Sequence, residues 1–405
     1  MAAAVGYAGG VLFLTTAVCI GTAIAVGVLT SKAVGAGETS EAKRFLIHCY
    51  LIVWAITLTM SLILFIFTDE LLVMIGASGR ALELAHIYLR IMVFSVPILG
   101  TAMASMAALR SFAEPKLAMN ATLVGGLVNA VLDPILIFGL DLNIAGAALA
   151  SLLSRATVLA MALIPLQLRY RILVKPDMSC FGSDCKKFFV VAFSAILTNI
   201  ATPLGAAFVT KQVAQFGDQA VSGMAVLSRL IPVAFVVNYA SSGAISPIVG
   251  QNFGAGNLVR VRAVLVETLK FLFVYTLVVG GLLYLLQSFV VDAFNAKGDS
   301  RDLIQLFCGG LAFLYFFDGI TFGVNACLNN IGRAPISSII NISKATIGLM
   351  PFVLMGAHYG GATGILVGQS IGIVVTGICA LGFYLWLLSK VVKDRTNTPD
   401  SALFR

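Results

Sequence analysis

Asn129, Asp133 and Pro134 fall in one apolar stretch, residues 117–140, and together they could hold a small cation. Asn129 lies one helical turn before Asp133 and on the same face. Pro134 has no backbone N–H, so the carbonyl of Ala130 loses its helical partner. Carboxylate, amide and freed carbonyl then converge, a donor set suited to a proton or a sodium ion. The charge of a carboxylate depends on its burial and on nearby cations, so Asp133 could switch with its surroundings. The competing reading is structural: Asp133 caps a kink or pairs with Arg155. A second acid, Asp318, sits near the middle of stretch 303–328, and Lys344 lies at a similar depth in 335–357. An ion pair between them would be a brace, since a buried charge must find a partner, or a switch opened by a coupling ion. Each such group costs about 3 kcal/mol or more to insert, so it faces a cavity or a partner.

The elements that must position these groups follow from composition. Of 405 residues, 59% are hydrophobic and 11% charged, with a mean hydropathy of +1.00. Ordinary soluble domains are about half apolar and roughly a quarter charged. Apolar stretches recur from Val5 to Leu388, each close to the roughly 20 residues a helix needs to cross a bilayer. The backbone in lipid must satisfy its own hydrogen bonds, which makes these stretches helices. A β-barrel would show segments of about ten alternating residues, and none appears. The opening stretch lacks the basic leader and small-residue cleavage site of a secretory signal. An all-α, polytopic membrane protein is therefore expected, with eleven spans at 5–30, 46–68, 84–109, 117–140, 144–167, 188–214, 220–248, 264–290, 303–328, 335–357 and 362–389.

Lys and Arg set the orientation, because cytoplasmic loops carry an excess of them. Loops 31–45, 110–116, 168–187, 249–263 and 329–334 and the tail from 390 hold 17, against Arg80, Lys297 and Arg301 on the other side. The C-terminus is expected in the cytoplasm, Met1 outside, and the chain in the cell inner (plasma) membrane. The net charge of +8 is spread beside apolar segments rather than gathered in one patch, which argues against nucleic acid. Cys180 and Cys185 are the one close cysteine pair, and without a His or a second pair nearby they are read as ordinary thiols.

Self-similarity appears at a constant spacing. Val34-Gly35-Ala36-Gly37 matches Phe253-Gly254-Ala255-Gly256, and Leu109 to Ala113 matches Leu328 to Gly332, both 219 residues on. Gly146 within Ile144-Ala145-Gly146-Ala147 matches Gly364 at 218. Two homologous halves follow: 1–167 as the first lobe, 168–187 as a basic linker, 188–389 as the second lobe and 390–405 as a cytoplasmic tail. The counterpart of 188–214 would fall before residue 1, so the first lobe is expected to have five of six helices. With six spans per half the repeats are parallel, related by an axis along the membrane normal.

Three motifs carry a family resemblance: Ser31-Lys32-Ala33-Val34-Gly35-Ala36-Gly37, Gly250-Gln251-Asn252-Phe253-Gly254-Ala255-Gly256, and Asn129-Ala130-Val131-Leu132-Asp133-Pro134-Ile135-Leu136-Ile137-Phe138-Gly139. They resemble the multidrug and toxic compound extrusion (MATE) family over nearly the whole chain. The resemblance implies a V-shaped transporter of two six-helix lobes that expels cationic or amphiphilic drugs and metabolites as protons or sodium enter. It implies no cofactor beyond that coupling ion, a monomer in the lipid bilayer, and no enzyme activity. Asp133 and Asn129 match the family's first-lobe acidic cluster, and Ser151 its hydroxyl partner. Asp318 resembles the second-lobe cation-site acid of some members. Those relatives add a glutamate on the helix matching 188–214, where this chain has Thr198, Asn199 and Thr202. The family's acid on the opening helix of the first lobe has no counterpart in this count.

Other functions fit less well. The Gly-rich loops lack the Lys-Ser/Thr ending of a phosphate-binding loop, so no nucleotide-binding partner is expected. An intramembrane aspartyl protease would resemble a Gly-x-Gly-Asp signature, whereas Asp318 follows Tyr315-Phe316-Phe317. A lipid-linked oligosaccharide flippase of a related superfamily is the alternative cargo reading, but its basic cavity would rest on Arg155, Lys211, Arg229 and Lys344 alone. Pro97, Pro203, Pro232 and Pro351 fall inside spans, as hinges or as fixed bends.

Overall fold

The computed structural model describes the backbone of residues 2–397 and the side chains of residues 3–391; the expected tail from 398 lies outside the described residues. No strand occurs among them. The chain divides into two compact units, 1–199 and 200–405. In the first are α1 (Ala2–Gly35), α2 (Thr39–Ile66), α3 (Thr68–Met74), α4 (Gly79–Val93), α5 (Ser95–Ser111), α6 (Pro115–Pro134) and α7 (Asn143–Tyr170). A long helix, α8 (Met178–Val213), carries the chain from the first unit into the second. There follow α9 (Asp218–Ala234), α10 (Val236–Gly254), α11 (Leu258–Ala293), α12 (Asp299–Gly309), α13 (Tyr315–Asn330), α14 (Ala334–Ala345) and α15 (Met350–Asn397).

Among the described residues, eight helical segments are long and apolar enough to cross a membrane, and ten if the bent pairs α4 with α5 and α9 with α10 each count once. The eleventh comes from α15, which breaks at Gly361 with φ 58° and ψ −140°. A Cβ on Gly364, Gly368 or Gly372 would strike the backbone carbonyl of Gly356, Phe352 or Gly348 in turn. All three pairs are centred on residue 360, so the two arms run antiparallel in backbone contact. Only glycine permits that approach, and only glycine readily adopts the turn.

The same positions bend in both units. Left-handed φ angles occur at Gly37 and Gly256, Gly76 and Asn295, Gly79 and Gly298, and Ala113 and Gly332, each pair 219 residues apart. Helix starts obey the same spacing: Thr39 with Leu258, and Pro115 with Ala334. The halves inferred from sequence are therefore halves in backbone conformation.

Lipid offers apolar side chains no reason to hide, so helix packing in a bilayer rests on small residues and close approach. The centre of unit 1 is α5, packed against α1, α2 and α7. Its buried face is Gly100, Thr101, Ala104, Ser105, Ala108 and Ser111. A Cβ on Gly100 would come within 2.8 Å of Thr57 and 3.2 Å of Val53. Unit 2 repeats this with α13, packed against α10, α11 and α15 through Gly319, Thr321, Gly323 and Ala326. Large apolar side chains point outward instead, among them Leu58 and Leu62 on α2, Leu123 and Leu127 on α6, and Phe271 and Val274 on α11.

The unit boundary differs from the expected linker. Residues 178–187, read as loop, are the first turns of α8 and are bound to α2: Asp184 accepts from Arg44 Nε at 3.2 Å and lies 2.7 Å from His48 Nδ1. Further along α8, Ile196 packs on Gly21. The division therefore falls inside the helix, at 199/200, because side-chain contacts rather than loop composition decide which unit α8 joins.

Candidate functional site

Both acids named from the sequence sit at breaks in helices, but in different surroundings. Asp318 lies in the first turn of α13, just after the Gly309-Gly310 break and a 3₁₀ turn at Leu311–Leu314. Lys344 lies in the last turn of α14, before Thr346 and Gly348 interrupt that span. A carboxylate at a helix N-terminus and an ammonium at a C-terminus are each favoured by the helix dipole. The two broken ends face one another, and Lys344 Nζ donates to Asp318 Oδ1 in a salt bridge. The Asp318 side chain is 7% exposed and that of Lys344 26%.

This pair lines a cavity of about 170 Å³ together with Thr202, Tyr239, Tyr315, Asn341 and Gln369. The volume is room for several waters by a measure on which one needs about 10–15 Å³. Lys344 also stands 5.5 Å from the Phe322 ring, a cation–π contact on its apolar side, and Tyr239 packs edge-on to the same ring at 5.1 Å. Asn238 donates to the Tyr315 carbonyl at 2.9 Å, tying α10 to the start of α13. Its own Oδ1 and the Oε1 of Gln369 are buried with no hydrogen-bond partner. An ion pair, hydroxyls and an unfilled amide oxygen around a small cavity can take up a proton or a small cation at Asp318 and release Lys344.

In unit 1 the expected cluster is looser. Asn129 Nδ2 donates to Asp133 Oδ1 at 3.5 Å, the limit of a hydrogen bond, and both residues are half-buried. Pro134 ends α6, and a π-helical turn, Ile135–Gly139, follows, a form common at functional sites. Ser151 is half-buried on α7, but the hydroxyl that ties α7 to α6 is that of Ser154, which donates to the Gly125 carbonyl at 2.8 Å. Arg155 does not pair with Asp133. It donates to Ser95 Oγ at 2.6 Å, and that hydroxyl donates to the Met92 carbonyl at 2.6 Å, so Arg155 is held at the 47° bend between α4 and α5. The carbonyl end of α4 offers a cation the negative pole of a helix dipole, which explains the preference.

Sequence reading did not single out Tyr239, Asn341, Gln369 or Asn238. Their signal was available: each is a polar group within an apolar span. All seven cysteines are free, and no group of three potential metal ligands occurs among the described residues.

Fold and site together define a two-unit helical membrane protein whose second unit holds an intramembrane ion pair. The chain belongs to the MATE family: the family's MatE profile matches residues 2–135 and 194–354. It is similar to the "FAD transporter" of Shewanella oneidensis, 27% identical over 95% of this chain and 86% of that protein. The multidrug export protein MepA of Staphylococcus aureus is 23% identical over 94% of this chain and 83% of its own length. Among solved structures, the MATE transporter VcmN of Vibrio cholerae in its bent form superposes with a TM-score of 0.90 at 22% identity, covering 96% of this chain and 89% of that one. The protein is thus a transporter of the MATE fold.

Proposed function

We propose that this transporter is a secondary exporter of small organic cations and amphiphiles, exchanging them for protons or sodium, with Asp318 and Lys344 as its coupling pair. One observation carries the reading: an ion pair at the facing ends of two broken helices, beside a cavity. Discontinuous helices of this kind place ion sites in transporters generally. Loading Asp318 removes the partner of Lys344, and an unpaired ammonium in this setting must move toward water or another acceptor. Asp133 with Asn129 is a second, weaker cation position, with Ser151 as the hydroxyl partner that the family resemblance implies.

The test is counterflow in proteoliposomes loaded with a fluorescent organic cation under an imposed proton or sodium gradient. Asp318→Asn is expected to abolish gradient-driven transport and to leave cation binding measurable. Undiminished gradient-driven transport in Asp318→Asn would refute the coupling role. The resemblance to a protein described as an FAD transporter favours flavin nucleotides as a second cargo, and release of flavin from cells expressing the chain assays that directly.

We further propose a plasma-membrane location with the C-terminus in the cytoplasm, from the Lys and Arg bias between the two sets of loops, and a monomer as the working unit, as the family resemblance implies.

A further inference from the structure

The end of α11 and the start of α12 border a second cavity, about 320 Å³ and open to the surface, lined by Ser288, Asp292, Asn295, Lys297, Arg301 and Gln305, all exposed but Gln305. It shares no residue with the cavity at Asp318. Asp292, Lys297 and Arg301 form no ion pair among the described residues, although all three line one small space. The loop that carries them is fixed from behind. Asn295 and Gly298 turn with φ 47° and 52°, Gly298 abuts Gln219, and a Cβ on Gly223 of α9 would meet Ser300 Cα at 2.9 Å.

The internal repeat supplies a control. In unit 1, 219 residues earlier, Asp69 stands for Ser288 and His86 for Gln305. Asp69 Oδ1 and His86 Nδ1 are hydrogen-bonded, which ties α3 to α4. The remaining lining positions there are Val73, Gly76, Ser78 and Leu82, with no charge among them. Unit 1 joins its helices here through the Asp69–His86 contact and carries no charge at the other positions; unit 2 lacks that contact and places two cations and an acid, none of them ion-paired, around one space.

Its location narrows the ligand. The apolar helix Leu258–Ala293 ends at the cavity, so the cavity lies at one end of a span, on the headgroup side rather than in the hydrocarbon. Just below it, Leu285, Leu286 and Phe289 are exposed, 48–77% each. We propose that this cavity binds a phospholipid through a phosphoethanolamine headgroup, with Lys297 and Arg301 on the phosphate and Asp292 on the ammonium. The acyl chains then lie along Leu285 and Phe289. A guanidinium fork suits phosphate oxygens. An acid in the same cavity disfavours a purely anionic headgroup, and a choline headgroup has no N–H to give Asp292. Nothing in this assignment depends on the transport reading.

The full chain in detergent, offered equal amounts of phosphatidylethanolamine, phosphatidylcholine and phosphatidylglycerol, is read by native mass spectrometry. Phosphatidylethanolamine is expected to be retained over both others. Lys297→Gln with Arg301→Gln lowers its retention about tenfold, a loss of about 1.4 kcal/mol in binding, and Asp292→Asn removes the preference over phosphatidylglycerol. Ser288→Asp with Gln305→His transplants the Asp69–His86 contact of unit 1 across the cavity; it is expected to lower retention too, at an unchanged melting temperature, and it decides the matter alone if the charge variant does not fold. Soluble phosphoethanolamine is the second arm: if it displaces the lipid at equal concentration, the site takes a free phosphate ester and the lipid assignment fails. Equal retention of the three lipids, or full retention by both double variants, overturns the proposal.

Discussion

Asp318 and Lys344 are the two residues whose removal should separate stability from transport. Asp318→Asn strands the ammonium of Lys344 beside a 7%-exposed partner, and breaking a buried pair from one side costs about 3–5 kcal/mol. Asp318→Asn with Lys344→Met is expected to recover most of that loss in a detergent melt while leaving gradient-driven transport absent. Recovery of both would mean that the pair is only a brace. For Asp133 and Arg155 the expectation is the reverse. Arg155 is bound to Ser95 and not to Asp133, so a double-mutant cycle between them should show a coupling below about 0.5 kcal/mol. At this scale the sequence placed Asp318 and Lys344 at similar depth, and depth was sufficient because both are forced to find a partner in lipid. It left Arg155 open between alternatives, because the carbonyl end of α4 that receives its charge exists only through a bend at Phe94.

Among the elements, the hairpin at Gly361 is the one most dependent on single residues. Gly368→Val would drive a side chain into Phe352, 2.7 Å from its carbonyl carbon and 3.1 Å from the N of Val353. Overpacking of this sort costs about 1–3 kcal/mol, and the measurable outcome is a lower yield of monodisperse protein and a lower melting temperature. The start of α8 makes a pH-dependent prediction. Asp177 caps it by accepting from the N–H of Ser179 at 3.1 Å and from its hydroxyl at 2.6 Å, and these bonds hold its carboxyl below the usual aspartate range. A depressed folded-state pKa stabilises at pH above the unfolded value and is lost as pH falls through the folded one. Asp177→Ala should therefore lower the melting temperature at neutral pH and leave it unchanged in acid well below about 3.9. The spans and their order were legible from hydropathy alone. The interruptions after Gly309 and at Thr346 were not, since an apolar stretch reads the same whether its helix is whole or broken, and those breaks create the candidate site.

For the whole molecule, the charge bias leads to a direct test: a phosphatase fused after Arg405 should be inactive and a fluorescent protein at the same place bright, as expected for a cytoplasmic C-terminus. The repeat was visible as three short motifs and reappears as four pairs of left-handed turns at the same spacing. By itself the sequence determined that the chain lies in a membrane, that it is helical, that it is built from two related halves and which family it resembles. The first three follow from composition or periodicity and the resemblance from three short motifs, none of which depends on how helices rotate about their axes. Tertiary structure decided the rest: that α8 begins docked on α2 through Asp184, that Asp318 and Lys344 meet while Asp133 and Arg155 do not, and that Asp292, Lys297 and Arg301 gather around one cavity in unit 2. These are matters of helix rotation and of where a helix stops, and both are set by which neighbour offers a carbonyl, a small face or an opposite charge.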